Sequence, residues 1–111
     1  MNANSTFDTI ALAGELDIAR RDEVRQALRI DGPGSGILVD FSEVVYADST
    51  VIAQLLRFYN DAGELKRRVA VLIVAPQLIR LLQYAGLSEI FPLFTERSAA
   101  LNYLSEVGDK S

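Results

Sequence analysis

An acid and two hydroxyls stand in succession at Asp48, Ser49 and Thr50, between an apolar stretch ending at Ala47 and a helical repeat that includes Ile52 and Leu55. Such a triplet has two uses. Asp and Ser are preferred helix N-caps, each able to accept a hydrogen bond from an orphaned N–H, at about 1 kcal/mol. The same residues can instead form a chemical site displayed at the start of a helix. The chemistry open to that site is narrow, because the 111-residue chain has no histidine and no cysteine. Their absence removes the usual general base, the usual zinc ligand and every Ser-His or Cys-His nucleophile pair. It also removes disulfides and thiolate metal sites. Carboxylates remain, so composition alone leaves magnesium or acid–base chemistry open. The glycine-rich stretch "GPGSG" precedes a strand instead of joining a strand to a helix, so it is no phosphate loop. The residues point to a non-enzymatic protein with no catalytic group, metal or cofactor.

A chain of this length holds one compact domain, here residues 1–111 with a core over about 7–107. Half of it is apolar and 23% is charged, an ordinary globular composition. The formal charge of −4 argues against a nucleic-acid partner, which needs a concentrated basic surface. The longest apolar run, Val69–Pro76, falls far short of the roughly 20 residues that span a bilayer. The start, "MNANSTFDT", lacks the basic and apolar segments of a signal peptide. A cytoplasmic location without membrane insertion is expected.

The elements that must position the triplet alternate in type. Ile10–Gly14 reads as a strand, starting near Phe7, which "GELD" breaks. A helix over Ala19–Ile30 turns Val24, Ala27 and Leu28 inward. Its Arg21, Arg25 and Arg29 recur every four residues on an outer face and read as solvated. "DGPGSG" is a turn-rich loop, and Ile37–Phe41, interrupted only by Asp40, is a strand buried on both faces. After a link, "FSEVVYAD", Ser49 opens a helix to about Ala62 with Ile52, Leu55, Leu56 and Tyr59 at helical spacing. Val69–Val74 is a further buried strand. Pro76 suits the first turn of the next helix, which runs to Ala85 before Gly86 supplies a left-handed cap. Ile90–Phe94 forms a short edge strand, and Thr95 caps a last helix to about Glu106. The predicted fold is α/β, a mixed but mostly parallel sheet covered by about four helices.

Three segments together resemble the STAS domain, the module of anti-sigma factor antagonists and of sulphate transporter tails. They are "LAGELDIA" (Leu12–Ala19), "ILVDFSEVVYADST" (Ile37–Thr50) and "APQLIRLLQYAGLSEIFPLF" (Ala75–Phe94). In order they cover nearly the whole chain. The resemblance implies that the serine after the aspartate, Ser49, is phosphorylated by a partner, an ATP-dependent anti-sigma serine kinase. The unmodified antagonist would hold the kinase and free the sigma factor, and the phosphorylated form would let go. A phosphatase would reset the switch. Asp17 of "GELD" would lie on the neighbouring loop at the same end of the sheet. The segment before "GELD" is short, so the family's first strand is expected to be reduced or missing. That would leave a sheet edge open to pairing with a second copy.

A phosphoserine at Ser49 would carry about −1.5 to −2 charges, which the free N–H groups of a helix start stabilise. Asp48 opposes it, by roughly 3 kcal/mol for unit charges about 5 Å apart at an effective dielectric of about 20. The face would become strongly negative and expel a negative or apolar partner. The contact set is taken as Asp17, Asp48, Thr50, Val51, Gln54 and Phe58. The family's usual glycine after the hydroxyl pair is Val51 here. An outward Val51, between the acceptor and the face carrying Gln54 and Phe58, would need a matching recess in the partner; an inward one would join Leu55 in the core. The outward orientation is expected.

Two rival functions separate from this one. A phosphoacceptor receiver domain shares the layout, but Asp40 and Asp48 do not make its acid cluster, and Val69–Val74 ends in Ala75-Pro76 without its lysine. A STAS accessory subunit of a phospholipid-transporting ATPase would use the same helix with no phosphate. A transporter's own tail is disfavoured by a chain that opens at Met1 with no membrane segment.

Overall fold

The computed structural model describes residues 7–30 and 36–105. Residues 31–35, where a turn-rich loop is expected, the first six residues and those from 106 on lie outside them. In chain order the elements are β1 (Phe7–Leu16), a 3-10 turn (Ile18–Arg20), α1 (Arg21–Ala27), β2 (Gly36–Ala47), α2 (Ser49–Glu64) and β3 (Arg68–Ile73). There follow α3 (Pro76–Tyr84), a second 3-10 turn (Leu87–Glu89), β4 (Leu93–Phe94) and α4 (Arg97–Ser105). The sheet order is β1-β2-β3-β4 and every described pairing is parallel. Parallel neighbours need crossovers, and helices supply them.

Period-two alternation along β2 and β3 divides the core. Ile37, Val39 and Phe41 join Val69, Val71 and Ile73 beneath α1, α2 and α3. Leu38, Ala70 and Leu72 point the other way, onto Ala100 and Leu104 of α4. This double burial is why the two strands read as continuous apolar runs. Asp40 falls on the α4 face and is 8% exposed, the one buried charged residue in the described chain. It is fully engaged: Ser42 donates from its N–H (2.9 Å) and hydroxyl (2.6 Å), and Arg97 Nη2 of α4 pairs with it at 2.5 Å. Burial pushes the Asp40 carboxyl up, but the Ser42 bonds and Arg97 together outweigh it and hold the group below the ordinary aspartate range.

β1 differs from expectation at its end. It does not break at "GELD" but runs through Leu16, with register shifts against β2 and a left-handed Gly14 (φ 86°). The shifts absorb what the turn-like sequence implies. β1 is ten residues long and forms the sheet edge. Arg20, held bidentate by Glu23, donates Nη1 to the Ala13 carbonyl at 2.8 Å and to the Glu15 carbonyl at 3.3 Å. A side chain thus occupies backbone acceptors of that edge, one device that blunts strand addition.

The remaining differences are at element ends. The first helix splits into a 3-10 turn and a seven-residue α1. β4 shrinks to Leu93–Phe94, and α4 opens at Arg97, two residues past Thr95. Pro76 at the first turn of α3 and Gly86 in the left-handed region (φ 76°) stand where the sequence puts them.

Candidate functional site

The end of β2 and the start of α2 answer the question set by Asp48-Ser49-Thr50. Asp48 is the N-cap, with extended backbone and its Oδ1 accepting from Val51 N–H at 3.1 Å. Its carbonyl accepts from Ile52 N–H at 3.1 Å. Ser49 is therefore the first helical residue and not the cap. Its side chain is exposed, and its hydroxyl has no hydrogen-bond partner among the described residues. The neighbouring loop repeats the arrangement. Asp17 caps the first 3-10 turn, accepting from Ala19 N–H at 3.1 Å. Leu16 pairs with Ala47 in register, and Asp48 N–H donates to the Leu16 carbonyl at 3.2 Å. The two acids thus leave the sheet together at the C-terminal ends of adjacent parallel strands, the end at which open α/β sheets bind ligands.

Around them lies apolar surface. Ile18, Val45, Tyr46 and Val74 follow or finish β1, β2 and β3 and are each about half exposed, from 48% to 60%. Gln77 of α3 donates to the Val45 carbonyl at 3.2 Å and steadies the end of β2. Between α2 and α3 runs a groove of about 540 Å³, lined by Tyr46, Asp48, Ser49, Ile52, Leu56 and Leu81 among others. Ser49 stands on its rim. An exposed, uncommitted hydroxyl beside a capping carboxylate, on an otherwise apolar surface, can accept a phosphoryl group. A phosphate there would add its charge to that of the two capping acids, Asp48 and Asp17. No group of three or more acids that could hold a metal ion occurs among the described residues. No helix there is long and apolar enough to cross a membrane.

Of the contact residues expected from sequence, Asp17 and Asp48 stand at this end beside the expected acceptor, Ser49. Thr50 is half-buried and turns toward α1, lining a different depression. Gln54 also faces α1, donating Nε2 to the Arg21 carbonyl at 3.2 Å. Val51 and Phe58 are corrections: neither is outward, at 0% and 3% exposure, and both belong to the main core. The reason is the width of the buried arc of α2. Val51, Ile52, Leu55, Phe58 and Ala62 are all buried, a stripe centred on Leu55 and not on the Ile52–Tyr59 line. α2 lies over the sheet with α1 and α3 beside it, so more than one narrow seam is covered. Sequence reasoning missed Ile18, Val45, Tyr46, Val74 and Leu81. Their apolar character is visible, but Val45 and Tyr46 fall in a segment that reads as a link. In the structure they end β2 after its register shift, where strict alternation fails.

The family model described as "Mlab, STAS domain" matches residues 1–95. No curated protein matches the chain. Among solved structures, an anti-sigma factor antagonist from Mycobacterium paratuberculosis superposes with a TM-score of 0.80 at 22% identity, covering 88% of this chain and 85% of its own. A sulfate transporter family protein from Wolinella succinogenes superposes with a TM-score of 0.76 at 17% identity, covering 93% and 88% respectively. At these identities the two structures share the fold.

Proposed function

The chain belongs to the STAS family, and on that premise we propose that it is an anti-sigma factor antagonist acting by partner switching. Unmodified, it binds an ATP-dependent anti-sigma serine kinase through the Ser49 end of the sheet. Once the kinase has moved a phosphoryl group from ATP to the Ser49 oxygen, it lets go. The observation that carries this is the division of labour between Asp48 and Ser49: the carboxylate does the capping, so the exposed hydroxyl has no structural duty. Modification then costs the fold little, while adding about two negative charges beside Asp48 and Asp17. Each 1.4 kcal/mol of repulsion so created weakens the complex about tenfold. The M. paratuberculosis antagonist, alike over most of both chains, supports the same reading. The chain itself is regulatory and performs no turnover, and its action in transcription would take place in the cytoplasm.

A second function uses the same face without a phosphate: an accessory STAS subunit of a phospholipid-transporting ATPase. Its support is that a protein named for sulfate transport shares the fold over 93% of this chain. A pull-down from the native cell separates the two. A small ATP-binding kinase, lost when Ser49 is changed to Asp, is the outcome expected. Recovery of a transporter ATPase, indifferent to that change, would replace the first function with the second.

A further inference from the structure

α2 divides two depressions, and Ala53 lines both. On the α3 side is the apolar groove with Ser49. On the α1 side, Arg21, Arg25, Thr50, Gln54 and Arg57 line a cleft of about 370 Å³. The helical angle accounts for the split. With Leu55 as the inward pole, about 100° per residue puts Ala53 and Arg57 on the outer crest, Thr50 and Gln54 toward α1, and Ser49 and Leu56 toward α3.

Three guanidinium groups meet at this cleft in a chain whose net charge is −4. The acid in its lining, Asp22, lies 4.0 Å from Arg21 Nε and 3.8 Å from Arg25 Nη2, with its side chain 78% exposed. Pairs so long and so wet neutralise little. Arg57 has no ion pair among the described residues. Gln54 spans the cleft through its bond to the Arg21 carbonyl, while its Oε1 is buried with no partner.

We propose that the α1–α2 cleft docks an acidic peptide segment of a protein partner that crosses α2 over Ala53. This rests on the reading that the Ser49 end of α2 faces a protein. Such a segment meets the charge of the cleft: its Asp or Glu carboxylates face the three guanidiniums of Arg21, Arg25 and Arg57. The exposed methyl of Ala53 keeps the crest low, so one chain crossing there contacts the arginine cleft and the apolar groove together. The groove supplies apolar contact, and the charged cleft adds salt-sensitive affinity together with orientation and association rate. A nucleic-acid strand fits less well, because it carries a charge on every residue past Asp22 and Asp61, where a peptide can set neutral residues.

The test needs no identified partner. The 15N-labelled protein is titrated with the blocked peptide acetyl-Glu-Glu-Leu-Glu-Glu-Leu-amide at low salt, following backbone amides and arginine Nε–H signals. Saturable shifts are expected at Arg21, Arg25, Thr50, Gln54 and Arg57. Affinity should fall about tenfold in the Arg25→Gln/Arg57→Gln double variant, and also when salt is raised to about 0.5 M. The titration uses the unmodified chain and no kinase, so a failure of Ser49 phosphorylation and a failure of this docking point are separate results. Shifts that never saturate, equal binding of the same peptide with Lys for Glu, or tighter binding of a single-stranded oligonucleotide would each overturn the proposal.

Discussion

Asp48 donates its backbone N–H to the Leu16 carbonyl at 3.2 Å, and this one bond ties the loop after β1 to the start of α2. Each loop opens with an aspartate that caps the turn behind it, Asp17 for Ala19 N–H and Asp48 for Val51 N–H. The acidic rim around Ser49 is therefore built from structural caps, which fixes its geometry before any partner arrives.

Capping and acceptance should separate by mutation. Asp48→Ala is expected to cost about 1 kcal/mol, a fall in melting temperature of roughly 4–8 °C for a domain of this size. Ser49→Ala, which removes an unbonded exposed hydroxyl, should stay within about 0.5 kcal/mol of the parent. Thermal melts of the two variants decide the matter. A larger loss in Ser49→Ala than in Asp48→Ala would mean the roles are reversed.

The buried side of α2 gives a second expectation. Val51→Gly should destabilise the fold by about 1–3 kcal/mol, from lost burial together with glycine's helix penalty. Phe58→Ala should cost about 3–5 kcal/mol. Urea unfolding measures both. A Val51→Gly protein as stable as the parent would contradict the burial of that side chain.

Much of this architecture was legible because its causes are local. Continuous apolar runs mark β3 and the first half of β2, Pro76 and Gly86 bound α3, and the acid-hydroxyl triplet marks the start of α2. What was not legible depends on neighbours distant in sequence. Phe58 reads as outward if α2 has a narrow seam, and only the flanking α1 and α3 make its arc wide enough to take that side chain in. The register shift that carries Val45 and Tyr46 to the surface leaves no local mark, because valine and tyrosine suit either side of a strand. Arg57 and the α1 arginines are far apart in sequence, so the cleft they form exists only in the fold.

The Asp40–Arg97 pair predicts a pH response. The Asp40 carboxyl is held below its ordinary value in the folded chain, so its contribution is fully present above the unfolded pKa of about 3.9. It is lost as pH falls through the lower folded value. In Arg97→Gln the folded value should rise toward the unfolded one, shrinking that contribution and narrowing its window. Arg97 is 52% exposed, so the loss at neutral pH should stay under about 1 kcal/mol. Acid titration by circular dichroism should place the variant's unfolding midpoint at higher pH than the parent's. An unchanged midpoint would show that Ser42 alone sets the carboxyl.

Exposed apolar residues near the acceptor should matter for binding and not for folding. Ile18→Ser and Tyr46→Ser are each expected to weaken the kinase complex about tenfold, or 1.4 kcal/mol, with melting temperature nearly unchanged. Calorimetric titration beside thermal melts reads both quantities. Parent-like affinity in both variants would move the docking face away from this end of the sheet.

The most direct measurement is intact-mass and peptide mass spectrometry of the chain after incubation with its anti-sigma kinase and ATP, coupled to a binding assay on the product. One phosphate is expected, on Ser49 and absent in Ser49→Ala, with a modified protein that no longer holds the kinase. A label on Thr50, no label at all, or a phosphorylated chain that binds the kinase as tightly as before would contradict it.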